Sequence, residues 1–255
     1  MFKSKFLLLA GMLASSVSIV QAEQVSLRAD VWFPHNGEPA SATPGYMIEI
    51  AKEIFGAAGI QVNYENMPWE RALQMTRAGQ NDCVVGAAKG DAPDFIFPDE
   101  PQGRDQSFAF VKKGAAWRYS GIASFSSVKL GVVEGYSYTA EVDEYIKANR
   151  TSGKVQSVAG ETPLEQNMRK LLAGRIDAIV ESRPVFLAMA KKLQLDGKFD
   201  EAGNVGEPSE LYIACSPAKA NVKTYGKLLT EGTVKLRASG KLAAILNKYG
   251  LQDWK

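Results

Sequence analysis

Residues 46–88 read YMIEIAKEIFGAAGIQVNYENMPWERALQMTRAGQNDCVVGAA. Ile48, Ala51, Ile54 and Phe55 recur at three- and four-residue spacing, which predicts a helix over 46–58 that Gly59 stops. A short strand follows at 61–64. The stretch 69–77 is helical again and ends at Ala78-Gly79. Cys83 to Ala88 is almost wholly apolar, the pattern of a strand buried on both faces. Helix, strand, helix and strand joined by short connections predict α/β units.

The same alternation extends outward. A strand over 25–32 precedes this stretch, and a loop rich in Gly, Asp and Pro follows it over 90–103. The run 107–111 reads as a strand that ends in Lys112-Lys113-Gly114. A second set of units then begins with a strand at 129–133 and a turn at Gly135. Helices over 139–149 and 163–172 come next, then a strand at 178–180 and a helix over 184–193. A strand at 211–215 and helices over 225–239 and 241–249, split by Gly240, close the chain. Two such blocks predict two α/β lobes. Lobe 1 is expected to take 23–111 and 210–255, and lobe 2 to take 112–209. The crossings near Lys112 and Glu210 would form a hinge, and the cleft between lobes is the natural place for a ligand.

The first 22 residues read as an export signal. Lys3 and Lys5 precede an apolar run, and Val20-Gln21-Ala22 fits a small-x-small cleavage site. Removing Lys3 and Lys5 from the 30 basic residues leaves 28 against 28 acidic ones, so the remainder is neutral. With no basic block, neither nucleic acid nor an anionic membrane is an expected partner. No later run is apolar for long enough to span a bilayer, so a soluble, periplasmic protein is expected. The two cysteines, Cys83 and Cys215, have no Cys or His at metal-ligand spacing. In an oxidising compartment they either cross-link or stay as two buried thiols, and spacing does not choose between these.

Several short motifs then fall in a telling order. They are Trp32-Phe33-Pro34, Pro44-Gly45-Tyr46 with Glu49, Pro68-Trp69-Glu70-Arg71-Ala72-Leu73, and Ala78-Gly79 with Asp82. Val132-Val133-Glu134-Gly135, Leu172-Ala173-Gly174-Arg175-Ile176-Asp177-Ala178 and the tail from Gly240-Lys241 to Tyr249-Gly250 follow. In this order the chain resembles the bacterial extracellular solute-binding proteins of family 3, the type found with amino-acid ABC transporters. The resemblance covers everything after the export signal. It implies a type II periplasmic-binding-protein fold, a monomer, no cofactor, and a permease or a membrane sensor as partner. It also implies a ligand held between Trp32 and Trp69, where flat rings suit a planar, apolar or cationic group. Gly86, Ala87 and Lys89 match a strand end that meets the ligand. Ser137 and Tyr138 match a helix start whose N–H groups attract anions.

Two departures qualify that resemblance. The family's carboxylate-gripping Arg falls here on Asp94, and its ammonium-binding Asp falls on Ser182, beside Glu181. Either Arg104, Arg71 or Lys89 takes over the carboxylate, with Glu181 or Asp94 on the amine, or the ligand is not an ordinary α-amino acid. A buried ligand charge left unpaired is costly, which favours the second alternative. A cationic or aromatic solute suits Asp91, Asp94, Glu181 and the two tryptophans, although Asp91 and Asp94 read more readily as a solvated loop.

Enzyme motifs are absent: there is no Gly-x-Ser-x-Gly elbow, phosphate loop or His-Glu-x-x-His. The single histidine, His35, reads as an exposed turn residue near the cleft mouth. One catalytic alternative shares this fold, an exported dehydratase of cyclohexadienyl acids, for which Arg71, Arg104 and Glu181 are the candidate groups.

Overall fold

The computed structural model describes residues 23–255; the expected export signal lies outside them. The chain runs β1 (Gln24–Ala29), α1 (Tyr46–Ala57), β2 (Gln61–Asn66), α2 (Trp69–Arg77), β3 (Cys83–Ala87), β4 (Gly103–Asp105) and β5 (Ser107–Lys112). It continues with β6 (Leu130–Val133), α3 (Ala140–Asn149), β7 (Val155–Val158), α4 (Pro163–Leu172), β8 (Ala178–Ser182) and α5 (Arg183–Lys192). The last elements are β9 (Phe199–Asn204), β10 (Ser209–Cys215), α6 (Val222–Ala238) and α7 (Lys241–Asn247). Among the described residues no helix is long and apolar enough to cross a membrane.

Two five-stranded sheets result, in the orders β2-β1-β3-β10-β4 and β7-β6-β8-β5-β9. In each, three parallel strands are followed by one that runs against them (β10, β5) and by a last strand (β4, β9) that is antiparallel to that one. The parallel strands carry the apolar runs because helices cover both their faces. In the first lobe, Leu27 and Ile213 of the sheet pack with Ile48 and Phe55 of α1 and with Leu229 of α6 and Leu242 of α7. In the second, Leu130, Val132 and Val180 pack with Phe125 and Val142, while Phe110 stacks on Phe186 at 3.7 Å.

The crossing points differ from those expected. Residues 107–111 belong to the second sheet: β5 pairs with β8 from Ser107↔Ser182 to Val111↔Ala178, and with β9 on its other edge. A single unpaired residue, Gln106, separates β4 in one sheet from β5 in the other, so alternation in the sequence does not reveal the switch. The return crossing lies between Asn204 and Ser209 rather than at Glu210, which pairs with Arg104 in the first sheet. Gln106 Nε2 donates to the Gly206 carbonyl at 2.9 Å and ties the two crossings together.

Cys83 and Cys215 are bonded, joining β3 to β10 at facing positions of the antiparallel ladder. Two glycines set the turn that opens the site. At Gly45 (φ 108°) a Cβ would lie 2.5 Å from the His35 carbonyl oxygen, and at Gly86 (φ 88°) one would lie 2.7 Å from Asn36 Oδ1. Both bare backbones let residues 32–36 settle onto α1 and the end of β3.

Candidate ligand cleft

The turn after β1 closes on itself, with Trp32 N donating to the Asn36 carbonyl at 2.7 Å. Tyr46 N and Met47 N, at the start of α1, donate back to the Pro34 and His35 carbonyls. This fixes Trp32 and His35 over the seam between lobes, where their rings stack at 4.2 Å. A cavity of about 40 Å³ lies there. The first lobe lines it with Asp30, Trp32, Trp69, Gly86, Asp91 and Asp105. The second contributes Tyr136, Ser137, Tyr138, Glu181 and Ser182.

Hydrogen bonds cross the cavity from lobe to lobe. Trp32 Nε1 donates to Glu181 Oε1 at 2.8 Å, and Ser182 N donates to the same oxygen at 2.7 Å. Ser182 Oγ donates to Asp105 Oδ1 at 2.6 Å. His35 Nε2 lies 3.3 Å from Ser182 Oγ and 3.5 Å from Asp105 Oδ1, while Nδ1 meets the Tyr46 hydroxyl at 2.8 Å. On the opposite wall Ser137 N donates to Asp91 Oδ1 at 2.9 Å, and the Tyr136 hydroxyl donates to Asp30 Oδ2. The Tyr136 ring stands edge-on to both tryptophans, 6.2 Å from Trp32 and 6.4 Å from Trp69. It fills the space between the expected aromatic faces.

The electrostatics are one-sided. Four carboxyl groups line the cavity, and among the described residues no Lys, Arg or His lines it. Burial pushes Glu181 up to about 8; the Trp32 and Ser182 N–H groups oppose this, and Asp105 and Asp30 reinforce it. Burial likewise raises Asp91 to about 7 against donors from Ser137 and Ala88, and Asp30 to about 6 against the Tyr136 hydroxyl. Desolvation therefore outweighs local hydrogen bonding at all three.

Of the residues singled out in the sequence, Trp32, Trp69, Gly86, Asp91, Ser137, Tyr138, Glu181 and Ser182 line the cavity. The others do not. Arg71, Lys89 and Arg104 are exposed, and Lys89 lies over the Tyr212 ring. Ala87 is enclosed in the first lobe's core. Asp94 is held bidentately by Arg77 at 2.8 and 3.0 Å on the surface, because α2 presents that guanidinium to the loop. The N–H groups of Ser137 and Tyr138 are not free for an anion: Asp91 accepts the first and Asp143 the second. His35, expected in an exposed turn, is 1% exposed because Tyr46 and Ser182 enclose it. Asp30, Asp105 and Tyr136 escaped the sequence reading. Asp30 carries a signal, a carboxylate directly after a buried strand, while Asp105 and Tyr136 reach the cavity only through the strand switch at Gln106 and the turn at Gly135.

The fold is that of the two-lobed periplasmic binding proteins. A scan against protein-family models and a search of curated proteins both find no match. Solved structures do match across nearly the whole chain. A histidine kinase sensor domain with similarity to periplasmic binding proteins is 17% identical with a TM-score of 0.76, covering 91% of this chain and 99% of that one. The arginine-, lysine-, histidine-binding protein ArtJ of Geobacillus stearothermophilus is 17% identical with a TM-score of 0.72, covering 91% and 97%. A structure from work on glutathione import through GshT and the cystine ABC importer TcyBC of Streptococcus mutans is 19% identical with a TM-score of 0.73, covering 91% and 97%.

Proposed function

We propose that this chain is an exported, periplasmic solute-binding protein. It captures a small molecule between its lobes as a monomer and hands it, unchanged, to an ABC importer. The observation that carries this reading is the cavity at the seam, lined and bridged by polar and aromatic side chains of both lobes. A site divided in this way is complete only when the lobes meet, so ligand binding and closure are one event. The paired crossings at Gln106 and at 205–208 are the narrow connection about which the lobes turn, with lobe 1 running to Asp105 and resuming at Ser209.

Presentation of the bound solute to a membrane sensor is the second reading, favoured by the similarity to the sensor domain over 99% of its length. The dehydratase alternative loses support. Arg71 and Arg104, its candidate anion-binding groups, are exposed and outside the cavity. The buried His35, Ser182 and Asp105 do not form a nucleophile relay either. Ser182 Oγ gives its proton to Asp105 rather than to the imidazole, and the remaining imidazole nitrogen faces a tyrosine hydroxyl.

The test is a thermal-melt screen against amino acids, amines, sugars and carboxylic acids, followed by recovery of the bound compound. A ligand that binds only the folded protein raises the melting temperature by mass action. Recovery of an unaltered stabilising compound is the expected result. Turnover of a cyclohexadienyl acid, or no stabilisation by any member of the panel, overturns the reading.

A further inference from the structure

If the chain is a solute-binding protein, the cleft also specifies the charge of its guest. Asp30, Asp91, Asp105 and Glu181 line one cavity; Asp30, Asp105 and Glu181 are each less than one-tenth exposed, and Asp91 is half-buried. Neutral donors from Trp32, Tyr136, Ser137 and Ser182 meet them, but no Lys or Arg among the described residues lines the cavity with them. Buried carboxylates without cationic partners are costly, and a cation placed among them relieves all four at once. The walls around them are the aromatic faces of Trp32, Trp69, Tyr136 and Tyr138, which attract cations electrostatically. An anion meets the opposite situation, since the backbone donors at Ser137 and Tyr138 already serve Asp91 and Asp143.

A separate observation limits the rest of the guest. Trp69 Nε1 is buried and makes no hydrogen bond of full geometry, only a weak approach to Asp91 that slightly favours the charged carboxylate. A guest that fills the cavity is therefore asked for an acceptor there. A hydroxyl or amide oxygen answers that demand, whereas a carboxylate would be set against Asp91. The inner cavity, at about 40 Å³, holds a head group of roughly three water volumes rather than a whole solute. A second cavity of about 300 Å³ shares Asp30, Trp32 and Tyr136 with it, and is lined further out by Met67, Leu164 and Met189. Tyr136 and Asp30, joined by their hydrogen bond, line both.

We propose that the cleft binds an organic cation that carries no carboxylate. Its ammonium or guanidinium group sits among Glu181, Asp30 and Asp91, and its body passes between Trp32 and Trp69 into the outer cavity as Tyr136 gives way. This distinguishes the guest from an α-amino acid, whose carboxylate finds no cationic partner in the inner cavity and in the outer one meets Lys192 only among Glu38, Glu161 and Glu165.

Matched pairs that differ chiefly at the carboxylate provide the test: choline against glycine betaine, agmatine against arginine, and cadaverine against lysine. Calorimetry and melting shifts on the full chain are run beside glucose, glutamate and succinate. Tighter binding of at least one amine than of its carboxylate-bearing partner, on the order of 100-fold, is expected. Equal or tighter binding of the carboxylate-bearing members overturns the proposal. So does stabilisation by glucose, glutamate or succinate alone, though solute binding itself then stands. If nothing in the panel binds, both readings fall. Glu181→Gln and Asp30→Asn should each weaken the best cation on the order of 100-fold without lowering the melting temperature of the empty protein. Unchanged affinity in both variants, with both folded, also overturns it.

Discussion

Replacing Glu181 by glutamine removes one ionisable group from the cleft and keeps the carbonyl that accepts from Trp32 Nε1 and Ser182 N. In the closed lobes burial pushes this carboxyl up to about 8, against an ordinary value of 4.5 that an open, wetted cleft would restore. The closed state therefore binds more protons than the open one, so closure of the empty protein is favoured at low pH and lost as pH rises toward 8. At pH 7 keeping Glu181 neutral costs about 3 kcal/mol, more than 100-fold in the closed-to-open ratio. At pH 5 the cost falls to about 1 kcal/mol. Asp91 and Asp30 act in the same direction but finish titrating near 7 and 6, which leaves the interval above pH 7 mainly to Glu181. Small-angle scattering of the ligand-free protein from pH 5 to 8 should show a growing radius of gyration. Glu181→Gln should flatten that curve above pH 7 and hold the protein more closed. A variant curve that superimposes on the wild type, or a wild type with no pH dependence, would refute the assignment.

Other perturbations test other parts of the molecule. Replacing Cys83 and Cys215 together by alanine opens a loop with a sequence separation of 132, which the chain-entropy account values at about 5 kcal/mol. Denaturant titration should show a loss of that order, and one under 1 kcal/mol would contradict it. Gly90→Val sets a side chain against Ser137, since a Cβ there already lies 2.4 Å from its Oγ across the cleft. Ligand affinity should fall roughly 10-fold while the empty protein melts unchanged; a lowered melting temperature with intact affinity would place the clash elsewhere. Tyr136→Phe removes the hydroxyl that Asp30 accepts, so the closed form of the empty protein should lose about 1–2 kcal/mol, visible as opening by scattering.

The elements over 46–88 were legible because their periodicities are strong and their ends are marked by Gly59 and Gly79. The edge strands β7 and β9 were not. One is only Val155–Val158, and the other, Phe199–Asn204, is mostly polar and gains its place by pairing with β5. The switch at Gln106 was hidden because the strand on its first-lobe side, β4, is only Gly103–Asp105 and adjoins what reads as a loop over 90–103. In the cleft, Trp32, Trp69 and Glu181 with Ser182 were legible only through the resemblance to the family 3 binding proteins, not from local pattern. The direction of a long charged side chain was not. Arg77 claims Asp94 from 17 residues away, and Arg71, Lys89 and Arg104 turn outward, outcomes that depend on packing rather than local pattern. His35 is buried only because Gly45 lets α1 bring Tyr46 against it.

The bond between Cys83 and Cys215 has a consequence for how the chain is connected. Every residue of the second sheet lies between these two cysteines, so that lobe is a pendant loop whose two roots are welded together at its base. A single protease cut anywhere in the pendant leaves one covalent molecule, and both pieces of the first lobe's sheet remain joined where β3 meets β10. The second lobe can therefore be nicked, circularly permuted or exchanged for another insert while the first keeps its own covalent frame.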